Sequence, residues 1–81
     1  MSLTVKAAVG EGTVGGALGA LQAKYPDVKM GSYPQMGKGR LMTELVLRSS
    51  DPERLELAAS EVRAMVAEAH AAAGIAPPAD E

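Results

Sequence analysis

Gly10, Gly12 and Gly15 stand in the spacing Gly-x-Gly-x-x-Gly, after a segment of alternating apolar residues and at the start of a helical one. That spacing can seat a pyrophosphate, because glycine lets the backbone approach the anion and a helix N-terminus favours negative charge. The surroundings favour an ordinary loop with tight packing instead. A chain of 81 residues cannot supply the doubly wound parallel sheet that such a site belongs to. The acid about twenty residues on should end the second strand, whereas Asp27 precedes it.

Gly12-Thr13-Val14-Gly15 also reads as G-x-x-G, the loop that clamps a nucleic-acid backbone between two helices in KH domains. It holds no Lys or Arg and has Glu11 beside it, so loop geometry is again the favoured reading. Lys29, Lys38 and Arg40 flank a turn with Tyr33 nearby. They could meet a phosphate or an acidic partner, or simply guard an edge against strand pairing. His70, the sole histidine, has no nucleophile or orienting acid near it in sequence, and is expected on the surface near a helix C-terminus. Glu53, Glu56, Glu61 and Glu68 read as a solvated helix face rather than paired catalytic acids. Met30, Met36 and Met42 gather around the same turn as gap-fillers or an adaptable interface.

The elements that must position these residues follow from periodicity. Leu3, Val5, Ala7 and Val9 recur at period two, a strand with one buried face. Thr13 is the expected N-cap of a helix to about Tyr25, with Val14, Ala17, Leu18, Leu21 and Tyr25 on one side. Gly15, Gly16 and Gly19 are expected to let that helix lie close to a sheet, and Pro26 ends it. Residues 27–34 form a short second strand with Val28 and Met30 inward, and 34–39 a hairpin connection. The third strand, 40–49, alternates most clearly. Leu41, Thr43, Leu45 and Leu47 fall on one face, and Met42, Glu44, Val46 and Arg48 on the other. Ser50 with Glu53 offers a capping box and Asp51-Pro52 an alternative cap. A helix to about Ala72 follows, stopped at Gly74. The prediction is an α+β fold: a two-layer β-α-β-β-α sandwich, with an antiparallel three-stranded sheet in the order 2-3-1 and both helices on one face. Residues 1–74 make one small domain and 75–81 a flexible tail.

Composition narrows the function. There is no cysteine, which removes disulfides, thiol nucleophiles and cysteine-ligated metals, and favours a reducing cytoplasm. Two tyrosines are the only aromatics, so the core rests on Leu, Val, Met and fifteen alanines. Such a core leaves little margin and gains from a neighbour. No apolar run is long enough for a membrane span. Net charge is −2, divided unevenly: residues 1–40 carry five basic against two acidic side chains, and 41–81 carry three against eight. A phosphate-gripping domain is normally basic overall, which makes nucleic acid an unfavoured partner.

The stretch LQAKYPDVKMGSYPQMGKGR, followed by TELVLRSSDPERLELAASEV, resembles a known family. The carrying residues are Tyr25-Pro26, Val28, Gly31-Ser32-Tyr33-Pro34, the strand Thr43–Arg48, and Ser50-Asp51-Pro52. The chain is similar, over about residues 4–70, to the small C-terminal domain that follows the molybdopterin-binding fold in proteins related to CinA and to eukaryotic FAD synthases. The resemblance implies a KH-type β-α-β-β-α arrangement in a C-terminal piece of a larger protein. It places any molybdopterin or nucleotide, and any metal-dependent pyrophosphatase chemistry, in the preceding domain. For this chain it implies no catalytic, cofactor-binding or metal-binding residue.

Three functions are weighed, in descending order. The first is a non-catalytic accessory domain that packs on or pairs a molybdopterin-binding-type domain. The second is a KH-type nucleic-acid binder, and the third a small nucleotide-binding enzyme resting on Gly10–Gly15. For the first, the hairpin Val28–Arg40 is the expected docking surface, with Lys29, Tyr33, Met36, Lys38 and Arg40 as its contacts. Its partner is the parent domain or a second copy of the chain.

Overall fold

The computed structural model describes residues 1–37 and 40–74. Strand β1 (Ser2–Ala7) leads into helix α1 (Glu11–Lys24), then strands β2 (Lys29–Gly37) and β3 (Arg40–Arg48), and helix α2 (Pro52–Ala73). The sheet order is β1-β3-β2 with both neighbouring pairs antiparallel. This is the expected order 2-3-1 read from the other edge, with the most apolar strand in the centre.

Alternation along β3 sets the two layers. Thr43, Leu45 and Leu47 are fully buried, while Glu44 and Val46 between them are partly exposed. Val14 and Leu18 of α1 and Leu55, Ala58, Ala59, Val62 and Val66 of α2 share one core with Ala7, Leu45 and Leu47. Both helices therefore cover the same sheet face. Thr43, the polar member of that row, is satisfied by donating its hydroxyl hydrogen to the Val9 carbonyl at 2.8 Å.

Several sequence expectations are corrected. Helix α1 starts at Glu11, with Gly10 as an extended N-cap that makes no side-chain cap bond. Thr13 lies inside the first turn, its N–H bonded to the Gly10 carbonyl at 3.0 Å; glycine serves as a cap without a side-chain oxygen. A side chain built on Gly12, Gly15, Gly16 or Gly19 would meet nothing within 4 Å. These glycines do not bring the helix near the sheet, and Ala17 is likewise exposed. Residues 34–37 belong to strand β2 and not to the connection, since β2 continues to Gly37, paired with Arg40. Pro34 is tolerated within β2 because that strand is an edge.

Helix α2 uses Asp51, not the Ser50–Glu53 box. Its Oδ1 accepts from the N–H groups of Glu53 at 3.0 Å and Arg54 at 3.3 Å, with Pro52 opening the helix. Gly74 closes it in the left-handed conformation, φ 69°, where glycine carries no Cβ penalty. His70 is not a surface residue. It is buried, and its Nε2 accepts from the Ala8 N–H at 2.9 Å. The tail 75–81 lies outside the described residues.

Candidate docking face

The face of the sheet turned away from the helices is built in rows by strand register. Arg48 lies opposite both Ser2 and Lys29, Val46 opposite Thr4 and Gly31, and Glu44 opposite Lys6 and Tyr33. Met42 lies opposite Gln35. The middle of this face is thus Val46 and Glu44 of β3 with Gly31 and Tyr33 of β2 beside them, bordered by the basic residues Lys6, Lys29 and Arg48.

Tyr33 is its most prominent feature, at 53% exposure. A Cβ on Gly31 would stand 3.1 Å from the Tyr33 hydroxyl and 3.2 Å from Cε2. The ring therefore lies back along its own strand and covers the glycine two residues before it. Glycine at 31 makes room for that pose, and Pro34 beside Tyr33 fixes the local backbone.

Of the five residues singled out from sequence, Lys29 and Tyr33 are exposed and share this face, about 13 Å apart along β2. Met36 is not at a turn. It is a strand residue paired with Leu41, and its register parity differs from that of Tyr33. Arg40 opens β3 opposite Gly37. Lys38 lies outside the described residues, as do the side chains of Met36 and Arg40. Lys6, Val46 and Arg48 belong to the same surface and are not marked by residue type. Period-two alternation in β1 and β3 carried that signal, but only strand order reveals which residues become neighbours.

Most of the motif residues between Leu21 and Val28 are occupied structurally. Gln22 clasps the α1–β2 connection: its amide donates to the Tyr25 carbonyl at 3.0 Å and the Val28 carbonyl at 2.7 Å, and Oε1 accepts from the Met30 N–H at 2.8 Å. Arg54 grips Asp27 with two bonds of 2.8 and 2.9 Å and lies 4.7 Å over the buried Tyr25 ring. The Tyr25 hydroxyl donates to Glu61, which also pairs with Lys24 at 2.9 Å. The Tyr25 hydroxyl and Lys24 lower the Glu61 pKa, and the Arg54 bonds lower that of Asp27. Hydrogen bonding to Glu61 raises the pKa of Tyr25, so its hydroxyl keeps the proton it donates. Both carboxylates are spent on the fold. Glu61 accordingly departs from the solvated face expected of the α2 acids.

No set of three His, Asp or Glu side chains among the described residues is placed to hold a metal ion. No helix among them is long and apolar enough to cross a membrane. Gly12-Thr13-Val14-Gly15 lies within α1 rather than in a loop between helices. The trough between α1 and α2 is lined mainly by Ala17, Met65, Ala69 and Ala72, with Thr13 and Glu68 at its margins.

Against known proteins, residues 1–73 match the family model described as FAD synthase, middle domain. No curated protein and no solved structure matches the chain.

Proposed function

The chain belongs to the FAD synthase middle-domain family, and on that premise we propose that it is a non-catalytic accessory domain that docks through the open face of its sheet. Its partner is a molybdopterin-binding-type domain of a FAD-synthase-related, CinA-like protein. The observation that carries the reading is the two-sided sheet: one face is covered by both helices, and the other presents Tyr33 with neither α1 nor α2 over it. An exposed tyrosine is a rigid, amphipathic anchor of the kind that concentrates binding energy at interfaces. Lys6, Lys29 and Arg48 at the margins of the face favour an acidic rim on the partner and set orientation more than affinity.

In this reading, chemistry on pterin or nucleotide belongs to the partner domain, and the chain itself holds no cofactor. Of the acids that sequence alone would nominate, Glu61 is engaged by Lys24 and Tyr25 and Glu56 by Arg63. A cytoplasmic setting fits the absence of cysteine. The β-α-β-β-α order of elements is compatible with a KH-type reading, but Gly12-Thr13-Val14-Gly15 lies within α1 and not in a loop between helices that could grip a nucleic-acid backbone.

The test is calorimetric titration of the chain with the molybdopterin-binding-type domain of a FAD-synthase-related protein. Saturable binding that Tyr33→Ala weakens at least tenfold, about 1.4 kcal/mol, supports the proposal. Absence of binding, or binding indifferent to Tyr33→Ala and Arg48→Ala, contradicts it.

A further inference from the structure

The β1–β3 ladder fixes which backbone groups of β1 are used within the fold. The Ser49 N–H donates to the Met1 carbonyl at 3.1 Å, one step beyond the Ser2–Arg48 pair. Hydrogen-bonded and non-bonded pairs alternate in an antiparallel ladder. Leu3, Val5 and Ala7 therefore bond to β3, while Ser2, Thr4 and Lys6 turn their N–H and C=O groups to the outer edge. Ala8, next in that series, shows the direction, because its N–H leaves the sheet and is taken by His70.

The other edge is blunted. The same alternation turns Met30, Ser32 and Pro34 of β2 outward. Gln22 already holds the Met30 N–H at 2.8 Å, and Pro34 has no N–H to give. Strand β1 has neither device, and Lys6 is its sole charge. Its helix-side residues Leu3 and Val5 pack on the core yet remain partly exposed. An edge of this kind is a template for another strand.

We infer that β1 is the pairing edge for a second copy of this chain, antiparallel about a two-fold axis at Thr4. Thr4 then faces the partner's Thr4, and Ser2 faces the partner's Lys6, so every outward backbone group of these residues is bonded. Leu3 meets the partner's Val5 in the closely spaced non-bonded positions, which covers the apolar surface left at the edge. The neighbouring registers use fewer of these groups. With the axis at Val5, Thr4 faces the partner's Lys6, but Ser2 then faces the partner's Ala8, whose N–H His70 holds. With the axis at Leu3, Ser2 faces the partner's Thr4 and Lys6 has no residue of the partner strand opposite it. The sheet becomes continuous across both copies, with two Tyr33 faces on one side. The pairing uses the backbone edge of β1, and although Lys6 also borders the docking face, self-association is measured without the partner domain, so the inference stands or falls apart from the proposed function.

Sedimentation of the chain over a concentration series up to millimolar tests the pairing. A monomer–dimer equilibrium is expected. Thr4→Pro, which removes an N–H not used in the monomer's own ladder, should abolish it. Ser2→Lys, placed opposite the partner's Lys6, should weaken it several-fold, and Ser2→Glu should strengthen it several-fold. Because Ser2 is exposed, this charge pair decides the matter even if Thr4→Pro disturbs the fold. A monomer at all concentrations overturns the inference, including one that accepts a strand only from a different protein. A dimer insensitive to both Ser2 variants overturns it as well.

Discussion

His70 Nε2 accepts the Ala8 N–H at 2.9 Å across 62 residues of sequence. The last turn of α2 is thereby fastened to the exit of β1, where the chain leaves the sheet and a backbone donor would otherwise lack a partner. Acting as acceptor, the imidazole carries no proton on Nε2 in this arrangement. His70→Leu keeps the apolar volume but strands the Ala8 N–H, at a cost of about 1–3 kcal/mol. Urea unfolding of the variant should show a lower midpoint with an unchanged slope. An unchanged midpoint would mean that water replaces the imidazole at no cost.

Helix α1 carries glycines that nothing in the fold requires. Gly16 and Gly19 are exposed and have open space where a Cβ would stand. Gly16→Ala and Gly19→Ala should each stabilise by about 0.5–1 kcal/mol, since alanine loses less backbone freedom in a helix interior. Thermal melts should rise by several degrees for each in a domain of this size. A fall in melting temperature would show that these positions meet a neighbour after all.

Acid should loosen the α1–α2 clasp. Arg54 lowers the pKa of Asp27, and the Tyr25 hydroxyl and Lys24 lower that of Glu61. Each carboxylate binds its proton more weakly in the folded state, so the unfolded chain takes up protons first. The stabilisation is complete above the ordinary carboxylate range and is lost as pH falls through the lowered folded values. Urea midpoints followed from neutral pH into that range should decline. Asp27→Asn should flatten part of the decline, and Glu61→Gln another part. A decline unaffected by either substitution would assign it to other acids.

Much of this architecture is legible in the residues themselves. Thr43, Leu45 and Leu47 announce the buried face of β3 because a half-buried strand must alternate. Asp51-Pro52 and Gly74 mark the ends of α2 through local chemistry that needs no tertiary partner. Errors arise where a distant partner decides. His70 reads as surface because Ala8, its partner, offers only a backbone group. The glycines of α1 suggest close packing by type, yet α1 turns Gly12, Gly16 and Gly19 to solvent. Met36 reads as a turn residue because Pro34 argues against a strand, and only an edge position admits that proline. The outward sheet face is half legible: Tyr33 and Lys29 stand out by type, whereas Lys6, Val46 and Arg48 join them only through strand order.

Gly31 and Tyr33 form one unit of that face. A methyl group at 31 would press on the Tyr33 hydroxyl and ring edge, and an exposed ring can swing aside at little cost. Gly31→Ala should leave the melting temperature nearly unchanged, within about 0.5 kcal/mol, yet weaken partner binding as Tyr33→Ala does. Tight binding by Gly31→Ala would show that the pose of the ring is irrelevant.

Amide shift mapping decides whether the open sheet face is the docking surface. The labelled chain is titrated with a molybdopterin-binding-type domain of a FAD-synthase-related protein, and backbone N–H signals are followed residue by residue. Docking through this face perturbs Lys6, Lys29, Gly31, Tyr33, Glu44, Val46 and Arg48 and leaves the outward residues Leu57, Arg63 and Ala67 of α2 unmoved. Perturbations confined to α1 and α2, or none at saturating partner, would contradict it.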